Sequence, residues 1–225
     1  MRDEAEYRGD SGAVGLGARR CRDAVGVKVV LADYGAGNLR SVCSAFARAG
    51  ASPTVSTDSG EVAEAPLAVI AGVGNTGAAA RGLEARGLAE ALVRRVRDGR
   101  PVLGICVGMQ LLFGESEEGG AGLGLLDGRV ERIRARRVPH MGWNALRVTG
   151  PTALLDGLDG VDVYFAHSYA CAPADGEAVA TVDHDGTIVA AVERGAVAGV
   201  QFHPERSGPA GARVLENALV WSRSV

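Results

Sequence analysis

Short apolar runs alternate with stretches of helical spacing through the first half of the chain. Residues 27–32 form a β-branched apolar run that predicts a buried strand, and residues 67–70 and 101–105 do the same. Between them, residues 39–49 carry apolar side chains three and four apart and stop at Gly50. Residues 88–97 repeat that pattern with a basic face towards solvent and close at Asp98-Gly99. The strand at 101–105 runs at once into a further helical pattern over 109–113. Strand and helix alternating at this spacing predict a parallel sheet covered on both faces.

The second half changes character. Short strands are predicted at 128–133, 145–148, 161–166, 178–182, 188–192 and 198–202, with few helices between them. Hairpin signals stand at Asp183-His184-Asp185-Gly186 and at Arg194-Gly195, and a last helix is predicted over 212–221. The expected fold class is α/β: an open, mostly parallel sheet flanked by helices, with antiparallel strands added late. Residues 1–26 mix Arg, Asp, Glu and Gly with isolated apolar residues, which predicts a disordered extension before one domain at 27–225.

Composition sharpens this picture in one respect. Glycine supplies 33 of 225 residues, about twice the usual share of roughly 7%. No collagen-like period runs through these glycines, so they imply many tight turns. A formal net charge of −3 offers no general attraction to nucleic acid or to an anionic membrane. Four scattered cysteines, Cys21, Cys43, Cys106 and Cys171, form neither a disulfide framework nor a metal-binding pattern, and fit a reducing cytoplasm. No apolar run has the roughly 18 residues a membrane helix needs.

The chemistry begins at Gly104-Ile105-Cys106-Val107-Gly108. A buried strand ends at a cysteine and a helix starts directly after it, with glycines relieving the crowding of a sharp turn. Such an elbow lifts the sulfur above the sheet, to a helix start where the dipole favours a thiolate. The plain alternative is a buried structural cysteine between two turn glycines. His203 weighs against it, because it follows an apolar strand and so reaches the same carboxyl edge of the sheet as Cys106. In His203-Pro204-Glu205, the carboxylate can take one imidazole nitrogen and leave the other to act on a thiol.

Gly104 to Gln110 together with His203-Pro204-Glu205 resembles the class I, or triad, glutamine amidotransferases, whose fold is flavodoxin-like. Further motifs narrow the resemblance. Asp33-Tyr34-Gly35-Ala36-Gly37-Asn38-Leu39, Pro139-His140-Met141-Gly142-Trp143-Asn144, Tyr164 to Tyr169, and Gln201 to Gly208 are similar to the glutaminase subunits of imidazole glycerol phosphate synthases. The resemblance covers residues 27–221. It implies that Cys106 attacks the side-chain amide of glutamine, with His203 as base and proton donor and Glu205 orienting it. The amides of Val107 and Gly74 would hold the oxyanion, and losing one such donor typically costs about 100- to 1000-fold in rate.

The same resemblance assigns Gly72, Gln110 and the segment His167-Ser168-Tyr169 to glutamine binding. For Gln110 the plain alternative is an exposed helix residue, and for 167–169 an ordinary strand-end turn. It also implies a (β/α)-barrel synthase partner that receives the ammonia, with no cofactor and no metal. Asn38, Met141, Trp143 and Arg206 would lie on the partner face, although Met141 and Trp143 also suit a core. A related subunit feeding a different synthase of specialised metabolism, and a non-enzymatic scaffold, are the competing readings. Two departures stand out. Ala71 replaces the family's usual proline before Gly72-Val73-Gly74, which loosens the loop that presents an oxyanion donor. Arg206 replaces the usual lysine after His-Pro-Glu, substituting a rigid fork for a compact charge.

Overall fold

The computed structural model describes residues 26–174 and 176–225. The expected extension therefore lies, apart from Gly26, outside the described residues. In chain order the first half comprises β1 (Lys28–Ala32), α1 (Leu39–Arg48), β2 (Ser52–Ser56), α2 (Ser59–Glu64), β3 (Leu67–Gly72), α3 (Thr76–Ala85), α4 (Leu88–Arg97), β4 (Val102–Cys106) and α5 (Val107–Gln110). The second half comprises β5 (Phe113–Ser116), β6 (Leu126–Arg132), β7 (His140–Ala145), β8 (Arg147–Val148), β9 (Asp162–His167), β10 (Tyr169–Pro173), β11 (Ala178–Asp183), β12 (Thr187–Arg194), β13 (Val197–Val200), a 3-10 turn (Pro204–Arg206) and α6 (Gly208–Trp221).

The main sheet has eight strands in the order β2-β1-β3-β4-β13-β12-β11-β8. Its first five strands are parallel, and β12, β11 and β8 continue it antiparallel. Every residue of β3, β4 and β13 is buried, which is why those strands read as unbroken apolar runs. The predicted hairpins at 183–186 and 194–195 join β11 to β12 and β12 to β13. Two smaller sheets, β10-β6-β5 and β7-β9, stand beside the main one.

Helix α1 buries Val42, Ala45 and Phe46, one stripe of its surface. In α4 the basic face is not wholly solvated as expected, because Arg95 is 1% exposed. Its guanidinium donates to the carbonyls of Ala65 at 2.8 Å and Pro101 at 2.9 Å, and to that of Val62. It thereby caps the orphan carbonyls at the end of α2. Burial, reinforced by the nearby charge of Arg100, lowers its pKa to about 10, still far above neutrality.

The predicted helix over 109–113 is corrected to a single turn, α5, with Phe113 opening a strand. The amides of Leu123 and Leu125 donate to the carbonyls of Leu111 and Leu112, each at 2.8 Å. Those carbonyls are then lost to a continuing helix. The strand expected at 145–148 is likewise split at Leu146, whose amide turns aside to Val161 O at 3.0 Å. Helix α6 starts four residues before the predicted 212, since Pro209 sits in its first turn, where no amide is needed.

Candidate active site

Cys106 ends β4 at the centre of the main sheet with φ of 55°, a strained value for a residue bearing a side chain. The flanking glycines permit it. A Cβ on Gly104 would lie 2.6 Å from the carbonyl oxygen of Gly108, and one on Gly108 would overlap the carbonyl of Ile70. The neighbouring strand β13 leads to Gln201, Phe202 and His203. Ser207 clamps this end: its hydroxyl donates to His203 O at 2.7 Å and accepts from the Tyr164 amide at 3.0 Å. His203 Nδ1 faces Glu205 Oε1 at 2.9 Å, with both side chains 5% exposed.

Burial alone would lower the pKa of His203, but hydrogen bonds and charges from Cys106 and Glu205 outweigh it and carry the value up to about 10. The imidazole thus carries its second proton at neutral pH. Cys106 and the distant His203-Pro204-Glu205 turn converge at one sheet edge.

A cavity of about 260 Å³ opens over Cys106. Val73, Gly74, Val107, Gln110, His167, Ser168 and Tyr169 line it, as do Met141 and Glu118. Gly74 has φ of 96°, and Val107 begins α5, so its amide has no intrahelical acceptor. Gly72 ends β3 just behind this lining. Gln110 is buried, which excludes the exposed alternative. Its amide group donates to Tyr169 O at 2.9 Å and Gln201 Oε1 at 3.2 Å, and its oxygen faces Thr76 Oγ1 at 2.9 Å.

The segment 167–169 is held from behind by a ladder of neutral side chains. Asn144 donates to Asp183 O at 2.8 Å and meets His140 Nε2 at 3.3 Å; His140 Nδ1 meets His167 Nε2 at 2.9 Å; His167 Nδ1 meets Tyr169 O at 2.8 Å. The carbonyl at one end requires a donor, so each ring carries its hydrogen on Nδ1 and accepts on Nε2. Burial, aided by His184, lowers the pKa of His140 to about 4. Burial likewise lowers that of His167 to about 3, against the Tyr169 carbonyl and with the other histidines adding to the effect.

Glu118 escaped the sequence reading. Its Oε2 accepts from Thr76 N at 2.7 Å and Thr76 Oγ1 at 2.9 Å, which sets a carboxylate at the cavity wall. In sequence it belongs to an acidic, Gly-flanked stretch that resembles a solvated turn, and nothing there signals its return to residue 76. A second cleft of about 310 Å³ lies between β6, β10 and β12. Its one thiol, Cys171, is buried, and that burial raises its pKa.

On the outer surface Met141 is 64% and Trp143 57% exposed, which excludes a core role. The Arg206 guanidinium lies 4.5 Å over the Tyr164 ring, and Tyr164 meets Trp143 edge-on at 6.0 Å. Asn38 is exposed at the start of α1. Among the described residues no group of three His, Cys, Asp or Glu side chains could hold a metal ion, and no helix is long and apolar enough to cross a membrane.

A cysteine on a strained elbow, with a protonated imidazole and a carboxylate at the same sheet edge, is an arrangement suited to the thiol-dependent hydrolysis of an amide. Comparison with known proteins makes this specific. The profile of the family "Glutamine amidotransferase class-I" matches residues 30–221. The chain is 45% identical over 201 residues to "Imidazole glycerol phosphate synthase subunit HisH" of Syntrophotalea carbinolica, covering 84% of this chain and 98% of that protein. It is 46% identical over 196 residues to the protein of the same name from Mycolicibacterium paratuberculosis, covering 84% and 95%. A solved glutamine amidotransferase superposes with a TM-score of 0.71 at 22% identity, over 88% of this chain and 100% of that one, a likeness of fold. The chain belongs to the class-I glutamine amidotransferases and, within them, to the family of imidazole glycerol phosphate synthase HisH subunits.

Proposed function

We propose that this chain hydrolyses glutamine to glutamate and ammonia and passes the ammonia to a (β/α)-barrel synthase subunit. That subunit would make imidazole glycerol phosphate and an aminoimidazole carboxamide ribonucleotide in histidine biosynthesis, in the cytosol. The observation that carries the reading is Cys106 in the lining of the cavity, at the same sheet edge as the hydrogen-bonded His203–Glu205 pair. The Cys106 sulfur attacks the side-chain amide carbon of glutamine, and the oxygen takes negative charge against the amides of Val107 and Gly74. The tetrahedral intermediate collapses to a thioester as imidazolium His203 gives its proton to the departing ammonia. His203 then takes a proton from water, which attacks the thioester and releases glutamate.

Glu118 suits the substrate's α-ammonium, since a carboxylate at the wall recognises a cation by a charge-assisted hydrogen bond. Glu118→Gln is expected to raise KM for glutamine about 10- to 100-fold while kcat falls less, since such bonds contribute about 1.5–3 kcal/mol. Steady-state kinetics check this, and an unchanged KM refutes the assignment.

The site's rim supports transfer to a partner. Met141 lines the cavity and is also exposed beside Trp143, so the reacting centre opens onto the aromatic face formed with Tyr164 and Arg206. Trp, Tyr and Arg are the residue types that anchor protein interfaces. The test is glutamine turnover with and without the synthase subunit and its ligand: slow for the chain alone, at least 100-fold faster in the liganded complex. In the same assay Trp143→Ala should raise the partner concentration for half-activation by about 10-fold or more. Turnover indifferent to the partner would sink the two-subunit reading.

A further inference from the structure

The ladder between β1 and β3 stops at Leu31 and Val69, whereas the ladder between β3 and β4 runs on to Gly72 and Cys106. The last residues of β3, which lead into the oxyanion loop, are therefore held by a strand on one side only. On the open side a side chain takes the place of a strand. Tyr34, two residues past β1 and 2% exposed, donates its hydroxyl to the Ala71 carbonyl at 3.0 Å. The hydroxyl lies so close to Gly72 that a Cβ there would overlap it, and the same Cβ would come 3.4 Å from Val107. The Tyr34 hydroxyl thus sits against the peptide that joins Ala71 to Gly72, beside the residue that supplies the other oxyanion amide.

The Tyr34 backbone is itself fixed. Arg86 Nη1 donates to its carbonyl at 2.8 Å. Its loop also presses on the same peptide, for a Cβ on Gly37 would lie 2.7 Å from Ala71 O. Burial, with the charges of Cys106 and Asp33 adding to it, pushes the Tyr34 phenol above its ordinary range, so the hydroxyl stays a donor.

We propose that Tyr34 is a positioning residue for glutamine hydrolysis: its hydroxyl bond to Ala71 fixes the end of β3 and thereby aims the Gly72-Val73-Gly74 segment at the oxyanion. With no proline at position 71, the rigidity of this segment comes from across the sheet edge. The inference rests on the glutaminase reading above and names a further part of that machinery. Such a residue acts on the transition state and leaves both ground-state binding and thiol reactivity alone.

Tyr34→Phe in the reconstituted, liganded complex tests it. Expected are a kcat about 10-fold or more below the parent, a KM for glutamine within twofold, and Cys106 alkylation by iodoacetamide at an unchanged rate, since that displacement develops no oxyanion. A kcat within twofold of the parent, or alkylation falling in step with turnover, overturns the proposal. A double-mutant cycle adds a second reading. Gly72→Ala forces a methyl group onto the Tyr34 hydroxyl, so its loss of kcat should be smaller in the Tyr34→Phe background than in the parent. Losses that simply multiply overturn the coupling, even if Tyr34→Phe alone lowers activity or destabilises the fold. If the parent complex itself turns over no glutamine, it is the glutaminase reading that fails and not the role of Tyr34.

Discussion

Replacing Cys106 by alanine is expected to lower glutamine hydrolysis by the liganded complex about 10⁴- to 10⁶-fold, the range for removing the nucleophile of a concerted triad. The sulfur stands at the end of a fully buried strand, and the neighbouring groups offer no substitute: Gln201 Nε2 lies 3.7 Å from it as a donor, and His203 carries a proton. The loss should be confined to glutamine. The same variant complex, supplied with an ammonium salt at a pH that yields free ammonia, should still form product on the partner. Glutamate release followed enzymatically, beside product formation from ammonium, separates the two. Residual glutaminase activity within about 100-fold of the parent would mean that Cys106 is not the nucleophile.

Glu205→Gln should cost about 10²- to 10⁴-fold in kcat, the scale seen when the orienting carboxylate of a triad is lost. It should also change the pH profile in a stated direction. The pKa of His203 stands at about 10 in the folded chain against 6.5 for a free imidazole. The imidazolium that would protonate departing ammonia is thus present across the neutral range and disappears as pH rises through about 10. The same linkage makes the contribution of this group to stability complete below about pH 6.5 and lost as pH rises through about 10. Taking away the carboxylate's hydrogen bond and charge moves that upper limit down, so the basic limb of kcat should shift to lower pH. A variant whose activity falls with no movement of the limb would show that Glu205 acts on something other than the imidazole.

Most of what carries this chemistry is local in sequence, which is why it was legible there. Strands β1, β3, β4 and β13 are buried on both faces and need no partner to be recognised. The elbow at 104–108 and the turn at 203–205 each hold their own geometry within a few residues. What escaped depends on distant segments. β2 is a half-exposed Ser-Pro-Thr-Val-Ser edge strand, recognisable only beside β1. Helix α3 carries Gly77 and Gly82 and several alanines, weak helical evidence until Asn75 caps it by accepting from Ala78 N at 2.8 Å. Glu118 becomes a site residue only because its loop returns to Thr76, and Tyr34 only because β3 outruns β1. Ala71 read as a loosened loop; the structure places a buried hydroxyl bond on that very carbonyl.

The ribbon formed by β7 and β9 constrains how such a protein can change over evolutionary time. Along β7, His140 is buried while Met141 and Trp143 are exposed, so alternate residues belong to the ladder behind residues 167–169 and to the outer aromatic face. Across from them, His167 and Tyr164 divide the same way. With a period of two, inserting or deleting one residue within β7 exchanges the faces and abolishes both roles at once. Substitutions can retune either face singly, but length cannot drift. A lineage adapting to a new synthase must rewrite the odd-numbered positions of β7 and leave its register untouched.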